Sequence, residues 1–237
     1  MNDVLTLISF GPEGWGDEIV QGVLITVSLA LATLPFGLVL GFLIALAKKS
    51  DEPSLRNAAN IYTTIFRGLP ELLTLFLVYY GVQIGIQEGL KLVGVEAYIE
   101  VNSFAAGMVA LALVFSSYAS EAFLSAFRGI PQGQYEGGYA LGLSHRKTMG
   151  LVILPQLVRL SLPALGNLWL ILLKETSLVS VVGLSDLVRQ SGIAARVTKE
   201  PFLFFGVACL IYLVLAMISS AGLSRVEAWS KRGEVRR

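Results

Sequence analysis

Long uncharged stretches alternate with short polar segments along this chain. Residues 19–47, 101–120 and 201–224 contain no charged side chain. A hydrocarbon core about 30 Å thick is crossed by roughly 20 apolar residues of helix, and each stretch reaches that length. Residues 69–87 and 160–185 are also apolar, apart from Glu71 in the first and the adjacent Lys174 and Glu175 in the second. The pattern predicts an all-α integral membrane protein.

We expect five transmembrane helices in a single domain that covers residues 1–237. The predicted spans are residues 19–47, 69–87, 101–125, 160–185 and 201–224. Pro35 lies inside the first span, where a missing N–H predicts a kink. Residues 1–18 contain no Lys or Arg, so they do not have the pattern of a cleaved signal peptide.

The composition supports a membrane protein and argues against several other classes. Hydrophobic residues make up 54% of the chain and charged residues only 15%, against about 25% charged in soluble domains. The net charge of +1 gives no information about nucleic-acid binding, and we expect no nucleic-acid partner for a membrane protein of this kind. Cys209 and His145 are the only residues of their kinds, which predicts no disulfide and no metal site.

The positive charges predict the orientation, because short loops rich in Lys and Arg stay in the cytoplasm. With the N-terminus outside and the C-terminus inside, twelve of these residues are cytoplasmic and four are external. The cytoplasmic ones are Lys48, Lys49, Arg56, Arg128, Arg146, Lys147, Arg159, Arg225, Lys231, Arg232, Arg236 and Arg237; the external ones are Lys91, Arg189, Arg196 and Lys199. The longest cytoplasmic connection then joins spans three and four.

That connection predicts two short helices. Pro131 suits the first position of a helix, and Tyr135, Tyr139, Ala140 and Leu143 follow at helical spacing. Gly142 predicts a left-handed end to this helix. Ser144 predicts the start of a second helix that ends near Pro155. A short helix with two exposed tyrosines fits either a docking site for a partner or a helix lying in the lipid interface.

The same connection resembles the cytoplasmic E-A-A loop of ABC importer permeases. Glu136-Gly137-Gly138 is followed by Gly142 and, after nine residues, by Val152-Ile153-Leu154-Pro155. Glycines replace the two alanines of the family's pattern, and Val152 replaces isoleucine. The resemblance implies that Tyr135, Glu136, Gly137, Gly138, Tyr139, Gly142 and Pro155 form a coupling helix that seats in a groove of an ATPase.

Two further segments extend this resemblance over nearly the whole chain. Tyr62-Thr63-Thr64 with Arg67-Gly68-Leu69-Pro70-Glu71-Leu72 is similar to the start of the second span in polar amino-acid permeases. The segments 174–180 and 183–186 are similar to the fourth span of the same group. The likeness is greatest to the Q-type subunits of histidine, lysine-arginine-ornithine, glutamine and opine importers. It implies a type I ABC importer permease fold in the inner membrane and the transport of a polar or basic amino acid or an opine.

The chain has no nucleotide-binding motif of its own, since no phosphate-binding loop and no Gly-Lys dipeptide occur in it. We therefore expect no enzymatic activity and no bound cofactor, with ATP and Mg²⁺ used by a separate ATPase. Five helices are few to enclose a solvated path. The resemblance implies a homologous M-type permease subunit, two ATPase subunits and a periplasmic solute-binding protein as partners, in addition to the lipid bilayer.

Charges inside a span are costly and indicate function by default. Lys174 and Glu175, with Thr176 and Ser177, are candidates for the substrate pathway; the alternative is a structural contact with a partner helix or with the broken end of span four near Val182 and Gly183. Arg67 and Glu71 are further candidates for the pathway. They are four residues apart and are predicted to pair along one helix face, with a gate as the alternative. Because Glu121 and Arg128 are seven residues apart, we expect them to make surface or subunit contacts.

Two other functions fit parts of the sequence. A stand-alone secondary carrier or channel would explain the spans, but such carriers are often built from repeated halves, and no repeat is present. A membrane-embedded enzyme lacks a nucleophile–base pair. The external segment 188–199, with Arg189, Arg196 and Lys199, fits either an interfacial helix or a contact with an acidic binding protein.

Overall fold

Helices are the only regular elements in the computed structural model, which describes residues 4–94 and 99–230. They are α1 (Val4–Ile8), α2 (Gly16–Lys48), α3 (Pro53–Gly68), α4 (Glu71–Leu92), α5 (Ser103–Gly129), α6 (Gln132–Ala140), α7 (His145–Thr148), α8 (Leu154–Glu175), α9 (Leu187–Thr198) and α10 (Pro201–Ser230). A π-helical segment, Met149–Ile153, joins α7 to α8, and a 3-10 segment, Thr176–Val182, extends α8. Lys231, Arg232, Arg236 and Arg237 lie outside the described residues.

Four of the described helical runs are long and apolar enough to cross a membrane. They are Gly16–Lys48, Ser103–Gly129, His145–Val182 and Pro201–Ser230. A fifth candidate is the pair α3 and α4, which meets the same test when the two helices are taken together. The first, third and fifth predicted spans are confirmed as helices, and α2 continues without a break through Pro35.

The second span differs from its prediction because the chain bends by 108° between α3 and α4. Leu69 is extended, with φ −93° and ψ 142°, as the steric restriction before a proline favours. Pro70 then precedes the first residue of α4. Arg67 and Glu71 consequently belong to different helices. The prediction that they pair along one helix face is wrong.

The fourth span is also longer than predicted, since helical structure runs from His145 to Val182. The second loop helix does not end near Pro155. In the π-helical segment, the N–H of Leu154 bonds to the carbonyl of Met149, five residues earlier. This wider turn lies immediately before Pro155 and accommodates a residue that has no N–H to donate.

The core of the bundle is organised around α5, the most buried of the long helices, whereas α10 is the least buried. α5 packs against α2, α4 and α8. A Cβ placed on Gly41 of α2 would lie 2.8 Å from Cβ of Ala119 and 3.0 Å from the carbonyl oxygen of Ser116. Such close helix contact through small residues is the usual means of packing within a membrane.

Three charged residues form an ion cluster at one end of the bundle. Glu121 of α5 pairs with Lys48 of α2, and its Oε1 lies 3.4 Å from Nη1 of Arg67 on α3. The Lys48 side chain is only 6% exposed. The Glu121 carboxylate therefore joins three helices of the same chain, and these contacts were not predicted. Its side chain is 35% exposed, and the expected surface or subunit contact stays a prediction.

We expect Glu121→Gln to lower the free energy of unfolding by about 3 kcal/mol, because it leaves the buried ammonium of Lys48 without its counter-charge. Arg67→Gln should cost no more than about 1 kcal/mol, since the Arg67 side chain is 46% exposed. Denaturation of the purified chain in mixed micelles measures both changes. Glu88→Gln is the matched control, because the exposed Glu88–Lys91 pair joins no helices. Equal effects of the Glu121 and Glu88 substitutions would contradict a structural role for the cluster.

Candidate functional site

The helix α6 ends at the glycine that the sequence predicts. Gly142 has a φ of +78°, a left-handed conformation that glycine adopts without steric cost. Its N–H bonds to the carbonyl of Tyr139 at 2.9 Å, and the N–H of Leu143 bonds to that of Gly138 at 3.1 Å. These two bonds form a Schellman motif. Pro131 occupies the N-cap position rather than the first helical turn.

One face of α6 is fixed to the bundle through Tyr135. This ring packs against the main hydrophobic core, and Nζ of Lys49 lies 3.5 Å from its hydroxyl oxygen. The same ammonium lies 4.1 Å from the ring centroid of Phe127 on α5, within the range of a cation–π contact. The prediction that both loop tyrosines are exposed is therefore wrong for Tyr135, whereas Tyr139 is 45% exposed.

A second contact holds α6 against the start of the fourth span. Gly138 is buried, and a Cβ added to it would lie 2.5 Å from Cγ2 and 2.8 Å from Oγ1 of Thr148. Gly137, the preceding residue, has open space where its Cβ would be. The two glycines of the Glu-Gly-Gly sequence are therefore not equivalent. Only Gly138 is required by this packing.

The opposite face of α6 is exposed. We define the docking face as Gly133, Glu136, Gly137 and Ala140, which follow one another at helical spacing and are all exposed. Leu141 extends it and is 83% exposed. The Tyr139 hydroxyl lies 2.9 Å from Nδ1 of His145 and joins the two loop helices beside this face. An exposed leucine next to small residues and one carboxylate fits a protein-docking surface.

A cleft of about 230 Å³ lies between α4, α5 and α8 within the membrane-spanning region. Its walls are Glu71, Phe115, Tyr118, Leu168, Ile171 and Glu175. The two carboxylates come from different helices. Within the described residues neither forms a salt bridge. This arrangement can hold a cationic or zwitterionic group between two acids and an aromatic ring.

The remaining predicted pathway residues lie around this cleft rather than in it. Lys174 is exposed, whereas Glu175 lines the cleft, so these two adjacent charges point in different directions. Thr176 is fully buried, and its hydroxyl donates to the carbonyl of Leu173 at 2.8 Å. The Ser177 hydroxyl donates to the carbonyl of Lys174 at 2.7 Å. Both hydroxyl protons are therefore used within the helix.

Tyr118 is the residue that sequence reasoning missed. It lines the cleft, and the guanidinium carbon of Arg67 lies 5.6 Å from its ring centroid. Arg67 also contacts Glu121, so the cleft connects to the ion cluster through this one arginine. Tyr118 lies in an uncharged apolar stretch, so nothing in its own position indicates a functional residue. The only nearby indication of a polar site is Glu121, the first charged residue after that stretch.

The fourth span ends at a break that the sequence predicts near Val182 and Gly183. Gly183 has a φ of +97°, and Asp186 then accepts a hydrogen bond from the N–H of Arg189 at 2.9 Å as the N-cap of α9. Burial raises the pKa of the Asp186 carboxyl to about 6, although the backbone N–H of Arg189 acts in the opposite direction. This break turns the chain from the fourth span into α9.

Comparison with known proteins identifies the family. Residues 37–227 match the family described as binding-protein-dependent transport system inner membrane component. The chain is 40% identical to the nopaline transport system permease protein NocQ of Agrobacterium fabrum, over 97% of this chain and 98% of that protein. It is 38% identical to the arginine ABC transporter permease protein ArtQ of Haemophilus influenzae, over 86% and 89% of the two chains.

A solved structure gives the same result for the fold. An amino acid ABC transporter with histidines superposes with a TM-score of 0.78 and 32% identity, over 96% of this chain and 99% of that one. Together with the apolar helices and the docking face, these similarities place the protein in the inner membrane as a transport component rather than an enzyme. The chain therefore belongs to the binding-protein-dependent transport system inner membrane components and is a permease subunit of an ABC transporter.

Proposed function

We propose that this chain is the Q-type subunit of a type I importer for a polar or basic amino acid or an opine. Its residues 1–237 form one domain with five spans, the N-terminus outside and the C-terminus in the cytoplasm. The orientation is supported by the position of α6. This helix contacts Lys49, so the longest loop lies at the same end as the Lys48–Lys49 pair, where short positive loops favour the cytoplasm.

The docking face carries the proposal that this permease is coupled to an ATPase. It is exposed on one side of α6, while the other side is fixed to α2, α5 and α7 through Lys49, Tyr135 and Gly138. A helix held in this way moves together with the bundle. The proposed partners are two ATPase subunits, which use ATP and Mg²⁺, a homologous M-type permease and a periplasmic binding protein.

The cleft carries the proposal on substrate class. Glu71 and Glu175 face a common space with Tyr118, which favours a solute with a cationic group. Lys174 lies on the exposed side of α8, the helix that carries Glu175. There it can contact the carboxylate of a substrate in a path that the second permease completes. The similarity to permeases named for arginine and nopaline agrees with this substrate class. Alternating access follows when the docking face moves and the cleft opens first to one side and then to the other.

The assembly is tested by tagging this chain, extracting it from its native membrane in mild detergent and identifying the co-purifying proteins by mass spectrometry. We expect an ATPase and a second, similar permease. A chain that purifies alone and moves solute in liposomes without ATP would instead be a stand-alone carrier.

Coupling is tested with the paired substitutions Gly138→Ala and Gly137→Ala. The first introduces a Cβ against Thr148, and overpacking of this kind typically costs about 1–3 kcal/mol. We therefore expect it to displace α6 and reduce the ATPase activity that binding protein and substrate stimulate, while the amount of assembled chain stays measurable. Gly137→Ala is the matched control, since its Cβ enters open space. Equal stimulation of the ATPase activity in both variants would show that coupling does not depend on the position of α6.

The cleft is tested with Glu175→Gln and Glu71→Gln in proteoliposomes that contain binding protein and ATP. A hydrogen bond to a charged group contributes about 1.5–3 kcal/mol, so we expect each variant to slow the uptake of a cationic amino acid by about tenfold or more. Glu88→Gln, on the exposed side of α4, should leave uptake unchanged. Unchanged uptake in both cleft variants would place the substrate path elsewhere, most simply on the partner permease.

A further inference from the structure

We propose that the junction of α9 and α10 is a binding site for an anionic phospholipid. This site goes beyond the transport function and lies at the end of the bundle away from α6. Its position follows from the course of α10. The other end of α10, at Trp229, lines a groove together with Pro155 of the fourth span and so lies at the same end of the bundle as α6. The proposal rests on two adjoining cavities and on the charges at their mouth.

The first cavity has a cationic mouth. It has a volume of about 570 Å³ and is lined by Gly192, Ala195, Arg196, Lys199, Pro201 and Phe205. Arg196 and Lys199 are both exposed. Glu200 is exposed next to them but does not line the cavity. Among the described residues, neither cation forms a salt bridge with a carboxylate. Nε of Arg196 donates to the carbonyl of Gly192 at 3.2 Å, which leaves its other N–H groups and the Lys199 ammonium for an anion.

Lys199 is held in an unusual backbone conformation. Its φ of +63° makes it the one described non-glycine residue in the left-handed region. Such a conformation is unfavourable for a residue with a side chain and persists where the surrounding structure determines it. It places the lysine at the mouth of the cavity, between the end of α9 and Pro201.

The second cavity continues from the first along α10 and is apolar. It has a volume of about 410 Å³ and shares Pro201 and Phe205 with the first, while Phe202, Gly206 and Cys209 complete it. Phe202 is 95% exposed. A groove that is cationic at one end and apolar along its length matches a phosphate headgroup followed by an acyl chain.

The length of α10 sets the depth of this site in the bilayer. Residues 201–224 are uncharged, and 24 residues of helix span about 36 Å at 1.5 Å per residue. The hydrocarbon core is about 30 Å thick. Pro201 therefore lies near one edge of the hydrocarbon, with Arg196 and Lys199 at the level of the headgroups. An acidic binding protein could reach these cations but not the apolar groove below them, so a lipid fits both cavities better.

The test uses the full chain together with the subunits that co-purify with it, delipidated in mild detergent. Native mass spectrometry follows the binding of added phosphatidylglycerol, with phosphatidylcholine as the zwitterionic comparison and inorganic phosphate as a competitor. We expect a phosphatidylglycerol-specific site whose affinity falls about fivefold for each cation removed, in R196Q and in K199Q. The charge-preserving double variant R196K/K199R should retain the site.

A second pair of variants tests the acyl groove without changing any charge. A Cβ at Gly206 meets no atom within 4 Å, so Gly206→Leu should fill the groove, leave the fold intact and abolish specific binding. Gly222→Leu is the matched control, since its Cβ also enters open space, towards the other end of α10.

Three results would overturn the proposal. The first is unchanged phosphatidylglycerol binding in the double variant R196Q/K199Q and in Gly206→Leu. The second is equal affinity for phosphatidylcholine, or displacement of the lipid by phosphate alone, which would indicate non-specific lipid or a free-anion site. The third is a loss of binding-protein docking in R196Q/K199Q with lipid binding unchanged, which would assign the cations to that protein.

Discussion

A charge buried away from water without a counter-charge costs several kcal/mol, and this cost determines how the polar residues of the bundle are arranged. Lys48 is buried, and it is matched by Glu121, which Arg67 also contacts. Glu71 and Glu175 have no comparable partner among the described residues. They face a cleft instead. Carboxylates without counter-ions are stabilised by protonation, by water or by a cationic solute, so the same cost that explains the ion cluster supports our proposal that the cleft is part of the substrate path.

In the proposed mechanism, the fourth span is the mechanical connection between the cleft and the docking face. Helical structure runs without interruption from His145 to Val182, about 57 Å at 1.5 Å per residue. Thr148 contacts Gly138 of α6 near one end, and Glu175 lines the cleft near the other. A displacement of α6 therefore acts directly on the helix that contributes one of the two acids. The π-helical segment before Pro155 is the irregular part of this connection, and it is where a change in pitch would absorb or transmit the movement.

The sequence predicts those features of the fold that local chemistry determines. Uncharged length locates the first, third and fifth spans. A glycine at the right distance from Pro131 locates the end of α6, because the left-handed position at Gly142 strongly favours that residue. The bend before Pro70 and the passage of the helix through Pro155 were missed. A proline permits a break, a kink or a wide turn, and tertiary packing selects among them. The partners of Glu121 were missed for the same reason, since they come from helices distant in sequence.

Glycine replaces both alanines of the family's pattern in the Glu-Gly-Gly sequence, and packing explains one of these two replacements. Thr148 fills the space that a methyl group on Gly138 would need. No such atom lies near Gly137, so the glycine there is not explained by packing. The substitution at Gly138 thus places α6 closer to the fourth span than an alanine would allow. The contact therefore depends on the size of these two side chains. Thr148→Ser removes the methyl group that a Cβ on residue 138 would meet, so we expect it to restore part of the substrate-stimulated ATPase activity that Gly138→Ala reduces.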